Sequence, residues 1–429
     1  MNIAFYIRLC VVNGSRLTSL RGGLNRASLV RARTVRRAAG TPTGAVIQAW
    51  AARIRKPTTY PANTRAMPHI RKPQPFRNIR AVRREFAGGR RSGLLRRLIL
   101  GVMLCWTGPG ALLPAAAALV PEQLAVLINA DDPLSVESGI YYSQRRGIPM
   151  SQVIVARLGA PRPVLRPAEF ERIKARLDKD LPDHVQAIAL TFSAPYRVDC
   201  MSITSAFAFG FDRRFCARSC APTAPSPYFK SASKRPYQDF GMRLAMSLAG
   251  ENAGQLRRLV DRGIRADGSQ PRGTAYLLST SDAARNVRAA GFPAIASEFA
   301  ERFRIQQVQS DRLGDRFDIM FYFTGLKRVP GIQRLGFRAG AVADHLTSAG
   351  GQLTDSRQMS ALEWLAAGAT GSYGTVVEPC NYREKFPDPQ ILMRHYLRGD
   401  TLIEAYWKSV DWPGQGIFIG EPLARPFGR

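Results

Sequence analysis

From residue 119 onward, short runs of apolar residues alternate with stretches in which apolar positions recur at helical spacing. Each run is rich in Val, Ile, Ala and Phe, which is typical of strands buried on both faces of a sheet. The intervening stretches, such as 168–177, have the amphipathic pattern of helices. The runs cover residues 124–130, 153–158, 185–192, 274–281, 318–325, 340–348, 369–377 and 416–420. This pattern predicts an α/β fold in one domain over 119–429, with a doubly wound, mainly parallel sheet and helices on both faces.

Residues 194–238 depart from this alternation. They contain several Pro and Ser residues and three clustered cysteines, and they show no clear crossover helix. Such a composition predicts an irregular insertion beside the end of the strand at 185–192, held in place by a disulfide.

Residues 90–118 have the organisation of a secretory signal peptide. Arginines precede an apolar stretch at 98–106, and small residues follow it. About nine apolar residues are too few for a membrane span, which needs roughly twenty. We therefore expect a mature chain that begins near Ala118 or Leu119, is exported to the periplasm or the extracellular space, and has no membrane span.

Residues 1–89 are expected to form a disordered, Arg-rich leader. The segment has no sustained helical or strand period and cannot bury enough apolar surface to offset its ordering entropy. An organelle transit peptide has the same composition. A start codon assigned too far upstream explains the segment better, because a complete targeting signal follows it directly.

The positive charge of the sequence is unevenly distributed along the chain. The whole sequence carries +30, but residues 1–97 hold 22 of the 62 basic residues and only one acid, Glu85. The remaining 40 basic and 31 acidic residues give a mature domain of +9. No part of that domain has the pattern of a nucleic-acid reader, and its sequence shows no cluster of Lys and Arg. We therefore expect no nucleic-acid partner, while other partners and the oligomeric state remain open.

Four cysteines, Cys200, Cys216, Cys220 and Cys380, remain once Cys10 and Cys105 are assigned to the leader and signal. An even number in an exported chain predicts disulfides. Three pairings are possible, and we favour Cys216 with Cys220 and Cys200 with Cys380, because FCARSC lies in a loop-like stretch. A zinc half-site is the competing interpretation. Few histidines are available and none has ligand spacing, so no metal is predicted.

Polar residues follow several of the predicted strands, where the carboxyl ends of parallel strands should form one rim. Candidate binding residues there are Asp131, Asp132, Asp282, Ser348 and Glu378. The same residues would also suit ordinary loops and helix caps. The Gly-rich segment 368–374 lacks the spacing of a phosphate-binding loop, so no cofactor is predicted.

His345 and Cys380 are the candidate catalytic pair. An imidazole beside a thiol, oriented by Asp344 or Glu378, would raise the thiolate fraction and create a nucleophile. Two structural interpretations compete with this one. Cys380 would be half of a disulfide, and His345, which lies in an apolar strand, would be a core histidine.

Most of the mature chain resembles a family of uncharacterised exported bacterial proteins. The resemblance is carried by LINADDPLSVESGIYYSQRRGIP, ALTFSAPYRV, AGAVADHLTS, MSALEWLAAGATGSYGTVVEPC and the C-terminal GIFIGEPLARPF. That family implies export but no activity.

A more distant resemblance is to gingipain-type cysteine peptidases, which implies a caspase-like topology. GATGSYGTV, TLIEAYWKSV and IFIGEPLARPF are similar to the end of that family's pattern, with Glu421 where the family has Asp. The strand at 318–325 resembles the one that ends in the family's Gly-His-Gly, but Thr324, Gly325 and Leu326 stand there instead. GAVADHLTS, which resembles the nucleophile's strand, has no cysteine.

These observations predict an exported, soluble α/β protein with a caspase-like topology and leave its molecular function open, with a non-catalytic binding or envelope-associated role as the favoured option. The alternative is a cysteine-dependent hydrolase, similar to a peptidase, that uses His345 and Cys380. The two differ in the expected state of Cys380, which is oxidised in the first case and a reactive thiol in the second.

Overall fold

The computed structural model describes residues 118–217 and 219–428. The leader at 1–89, the signal segment up to residue 117, Cys10 and Cys105 lie outside the described residues. The described residues fall within one compact unit, Leu104–Arg429. None of their helices is long and apolar enough to cross a membrane.

The predicted apolar runs form strands. Within the described residues the strands are β1 Leu124–Asn129, β2 Val153–Ala156, β3 Val164–Leu165, β4 Ala187–Leu190, β5 Arg197–Val198, β6 Met201–Ser202, β7 Leu244–Ser247, β8 Thr274–Ser279, β9 Arg304–Gln309, β10 Ile319–Thr324, β11 Phe337–His345, β12 Gly371–Thr375 and β13 Gly416–Gly420. Five strands were not predicted: the two-residue strands β3, β5 and β6, and the longer β7 and β9. β7 is only four residues long, and β9 is a half-exposed edge strand whose sequence, RIQQVQ, is mostly polar.

Ten of these strands form one sheet in the order β2-β1-β4-β7-β13-β12-β11-β10-β8-β9. β1 pairs in parallel with β2 and β4, and β4 pairs in parallel with β7. The ladders that join β12, β11, β10, β8 and β9 are also parallel. β13 is antiparallel to β12. On its other side it pairs with β7, where Ile419 lies opposite Ser247. The predicted α/β fold with a mainly parallel sheet is confirmed.

Helices cover both faces of the sheet. Within the described residues they are α1 Pro133–Arg146, α2 Pro167–Asp180, α3 Ile203–Phe209, α4 Pro236–Phe240, α5 Ala253–Ala266, α6 Phe292–Phe299, α7 Leu362–Ala367, α8 Pro389–Leu397 and α9 Leu402–Ser409. Proline opens several of them at the first turn, where its missing N–H is not needed. Asn252 and Asp388 cap α5 and α8 by accepting hydrogen bonds from first-turn N–H groups.

Neighbouring residues of β10 show how the two faces are filled. Tyr322 packs edge-on against Trp364 of α7, with ring centres 5.0 Å apart. Phe321, on the opposite face, packs against Tyr396 of α8 at 6.3 Å. All four side chains are fully buried. Burying groups of this size stabilises the fold by about 2 to 3 kcal/mol each, which fixes both helix layers on the sheet.

The segment 194–238 contains more regular structure than predicted. β5 and β6 join β3 in a small second sheet, and α3 packs on β7 and β13. Phe209 at the end of α3 lies against Trp407 of α9, with ring centres 5.6 Å apart. The start of this segment therefore belongs to a helix layer of the main sheet.

All four cysteines in the described residues form disulfides, but the favoured pairing was wrong. Cys200 is bonded to Cys216, and Cys220 is bonded to Cys380. The first bridge closes a loop of 16 residues within the 194–238 segment, and the second joins that segment to the loop after β12 across 160 residues. Cys216 and Cys220 are thus bonded to different partners.

Two glycines of the Gly-rich segment 368–374 are closely packed, Gly374 against backbone and Gly371 against a side chain. A Cβ atom on Gly374 would lie 2.3 Å from the backbone nitrogen of Gly351, and one on Gly371 would lie 2.7 Å from Leu402. Neither position has room for a side chain, so glycine is required there by close approach.

Candidate functional site

The predicted rim lies where loops of the two sheet halves meet. The hydroxyl of Tyr196, after β4, donates to Oδ1 of Asp355, after β11, at 2.7 Å. Ser193, also after β4, donates to the carbonyl of Gly250, after β7, at 2.8 Å. The loops that follow these parallel strands are thus held together at one edge.

His345 is the last residue of β11 and is 1% exposed. The indole N–H of Trp364 donates to its Nδ1 at 2.9 Å, so this ring nitrogen is already occupied. Among the described residues no hydrogen-bond partner reaches its Nε2. Burial, reinforced by the positive charge of Arg288, lowers the pKa of His345 to about 3. His345 is therefore a neutral core histidine at pH 7.

Cys380 follows β12, and its sulfur is bonded to Cys220. A cysteine in this state has no thiolate to act as a nucleophile. Its backbone N–H donates to Oε1 of Glu378 at 2.8 Å, which uses the carboxylate that could have oriented His345. In this structure Nδ1 of His345 and the sulfur of Cys380 thus each have another partner, Trp364 and Cys220.

Asp344, the other candidate for orienting His345, faces the opposite side of the sheet, because neighbouring residues of a strand alternate. Its Oδ1 lies 2.6 Å from Nη2 of Arg288, and both side chains are nearly completely buried. Nη2 of Arg288 also donates to the carbonyl of Thr324 at 2.8 Å, and Nη1 to that of Pro387 at 3.2 Å. Burial raises the pKa of Asp344, and the charge of Arg288 opposes the rise. Sequence analysis missed Arg288, which is one arginine among many in its segment.

The remaining rim candidates make local contacts. Asp131 pairs with Arg157 at 2.6 Å, and Asp282 pairs with Arg285 at 2.8 Å. Asp132 is the N-cap of α1 and accepts from the N–H of Leu134 at 3.0 Å. The carbonyl of Ser348 accepts from the hydroxyl of Thr375 at 3.1 Å. These contacts hold the loops at the rim.

Within residues 118–217 and 219–428, no group of three or more His, Cys, Asp or Glu residues is placed to hold a metal ion. Glu421, where the peptidase pattern has Asp, is fully buried. It accepts hydrogen bonds from the hydroxyl of Tyr142 at 2.8 Å and from Nε of Arg146 at 2.9 Å. These hydrogen bonds link Glu421, at the end of β13, to α1.

A pocket at the opposite, amino edge of the sheet was not predicted. It has a volume of about 580 Å³ and lies at the starts of β8, β9, β10 and β11. Four exposed arginines line it: Arg272, Arg302, Arg304 and Arg338. Asp318 is the carboxylate among its lining residues. No cluster of basic residues is visible in the sequence, because these arginines are spread over 67 positions and only the parallel strand starts bring them together.

No protein-family model and no curated protein matches the chain. Among solved structures, it is similar to gingipain R, an Arg-specific cysteine proteinase, at 9% sequence identity and a TM-score of 0.41. The match covers 71% of this chain and 78% of that one. The distant resemblance noted in the sequence is therefore confirmed as a resemblance between structures, and it carries no argument about activity. The resemblance to exported bacterial proteins stays a prediction.

The buried state of His345 predicts acid sensitivity. Folded His345 accepts a proton only near pH 3, whereas in the unfolded chain it does so near pH 6.5. Between these values the unfolded state binds more protons, so the free energy of unfolding falls as pH falls, by about 1.4 kcal/mol per pH unit from this residue. Burial and the charge of Lys408 lower the pKa of His395 to about 4, so this residue adds to the fall in stability.

Urea unfolding between pH 7 and pH 4 measures this dependence. His345→Gln keeps an acceptor for Trp364 and removes the titrating group, so we expect a shallower decline in stability than in the wild type. His184→Gln, at an exposed position, is the matched control and should leave the slope unchanged. An equally steep decline in His345→Gln and the wild type would show that His345 does not titrate in this way.

Proposed function

We propose that the protein is an exported binding protein on a peptidase-like α/β scaffold and that it does not act through His345 and Cys380. One observation carries the proposal: the sulfur of Cys380 is bonded to Cys220. A reacting pair needs a free thiolate beside an accessible imidazole. Here the cysteine is oxidised, and the histidine is buried against Trp364.

The disulfides also support the export part of the proposal. Cys200–Cys216 and Cys220–Cys380 use all the cysteines of the described residues. Disulfides of this kind persist in oxidising compartments such as the periplasm or the extracellular space. The hydrolase alternative requires Cys380 to be reduced, which would break the covalent link between the 194–238 segment and the loop after β12.

Alkylation of the purified protein before and after reduction tests the proposal. We expect the peptide that contains Cys380 to be labelled only after reduction, as mapped by mass spectrometry. Cys380→Ser should then release Cys220 for labelling and leave Cys200 and Cys216 protected, because they form a separate bridge.

Labelling of Cys380 in the unreduced wild type, together with its loss in His345→Ala, would overturn the proposal in favour of the hydrolase. Labelling of Cys216 in Cys380→Ser would instead show that the bridges are paired differently.

A further inference from the structure

We infer that the arginine pocket at the amino edge of the sheet binds a small polyanion, that is, a molecule with two or more phosphate, sulfate or carboxylate groups. The pocket consists of Arg272, Arg302, Arg304 and Arg338 around the cavity of about 580 Å³. This volume lies within the range of small-molecule sites. The inference names a ligand class for the proposed binding function and rests on that function.

The charges of these arginines are not neutralised by the protein around them. In the described part of the chain, none of the four side chains lies within 4.0 Å of a carboxylate oxygen, although many other arginines there do. Arg302 donates to the backbone carbonyl of Leu397, which leaves its charge uncompensated. Guanidinium groups carry five donors in a planar fork that matches phosphate and carboxylate oxygens. Most of these donors are available to a ligand.

Asp318 offsets only one of the four positive charges, and its oxygens accept hydrogen bonds from two hydroxyl groups. Oδ2 accepts from the hydroxyl of Thr274 at 2.7 Å, and Oδ1 accepts from that of Tyr276 at 2.8 Å. Partial burial acts to raise the pKa of Asp318, but these hydrogen bonds and the charge of Arg304 hold it below its ordinary value. Asp318 stays ionised, and the pocket keeps a net charge of about +3 from four arginines and one carboxylate.

Apolar groups line the inner part of the pocket. Phe303 and Phe427 lie with ring centres 6.2 Å apart, and Leu397 beside them is 2% exposed. An apolar wall lowers the local dielectric constant, so an anion in the pocket is attracted more strongly than at an open surface. A concave site of one sign of charge also concentrates ligands of the opposite sign.

Isothermal titration with sodium tripolyphosphate at low salt tests the inference on the purified mature protein, because the Arg-rich residues 1–97 would themselves attract the polyanion. We expect saturable binding by the wild type and a Kd raised about ten-fold or more in Arg304→Gln/Arg338→Gln, since each substitution removes charge-assisted hydrogen bonds. The matched control is Arg172→Gln/Arg176→Gln on α2, which removes the same charge from exposed positions that do not line the pocket. The Kd of the control variant should stay within about two-fold of the wild-type value.

Two results would overturn the inference: no saturable heat in the wild type, or equal weakening in the control and pocket variants, which would mean general surface attraction. Circular dichroism of both variants checks that each is folded. Neither titration involves Cys380 or His345. Failure of tripolyphosphate to bind would therefore remove the ligand class, whereas only an alkylatable Cys380 would remove the non-catalytic function.

Discussion

Removal of the Cys220–Cys380 disulfide is expected to lower the free energy of unfolding by about 5 kcal/mol. The bridge closes a loop of 160 residues, and in the chain-entropy model the stabilisation grows with the length of that loop. Cys200–Cys216 closes only 16 residues and should contribute about 3 kcal/mol. Urea unfolding of Cys220→Ser/Cys380→Ser and Cys200→Ser/Cys216→Ser, each compared with the wild type, measures both values.

The second double variant is the matched control, because it removes the same chemical groups. The order of the two losses is the decisive result. If removal of the short bridge lowers the free energy of unfolding as much as removal of the long one, or more, the entropy of the unfolded chain is not the source of the stability.

Asp344→Asn is expected to lower the free energy of unfolding by about 3 to 5 kcal/mol. The substitution keeps the shape of the side chain but leaves the guanidinium of Arg288, with a side chain that is 4% exposed, without its counter-charge. A single charge left in a buried site is strongly destabilising, whereas removal of both charges can be nearly neutral. Thermal and urea unfolding should therefore show a large loss for Asp344→Asn and a partial recovery in Arg288→Met/Asp344→Leu.

Asp282→Asn is the control for this effect. Asp282 also pairs with an arginine, Arg285 at 2.8 Å, but both side chains are 24% exposed. Exposed pairs contribute only about 0 to 1 kcal/mol. Equal losses for Asp282→Asn and Asp344→Asn would show that burial does not determine the cost.

Much of the sheet could be predicted from the sequence, because strands buried on both faces must be apolar along their whole length. β9 was missed for the converse reason: an edge strand is half exposed and needs no apolar run. The antiparallel direction of β13 has no local signature, since direction depends on how the chain crosses the sheet and not on which residues a strand contains.

The candidate site was harder to predict, because its chemistry depends on partners far away in the sequence. The cysteines were correctly assigned to disulfides, but spacing favoured the wrong partners. The role of His345 depends on Trp364, and that of Asp344 on Arg288, 56 residues earlier. Neither contact leaves a pattern in the sequence.

The central place of β13 in the sheet has a consequence for the order of events during synthesis. Gly416–Gly420 lies between β7 and β12, so the strand of the described residues that is synthesised last joins the two halves of the sheet. Until it emerges, β2-β1-β4-β7 and β12-β11-β10-β8-β9 share no strand ladder. Contacts this distant in sequence form slowly, because loop closure must precede them. The two halves of the sheet are therefore joined only after the chain has been made as far as Gly420.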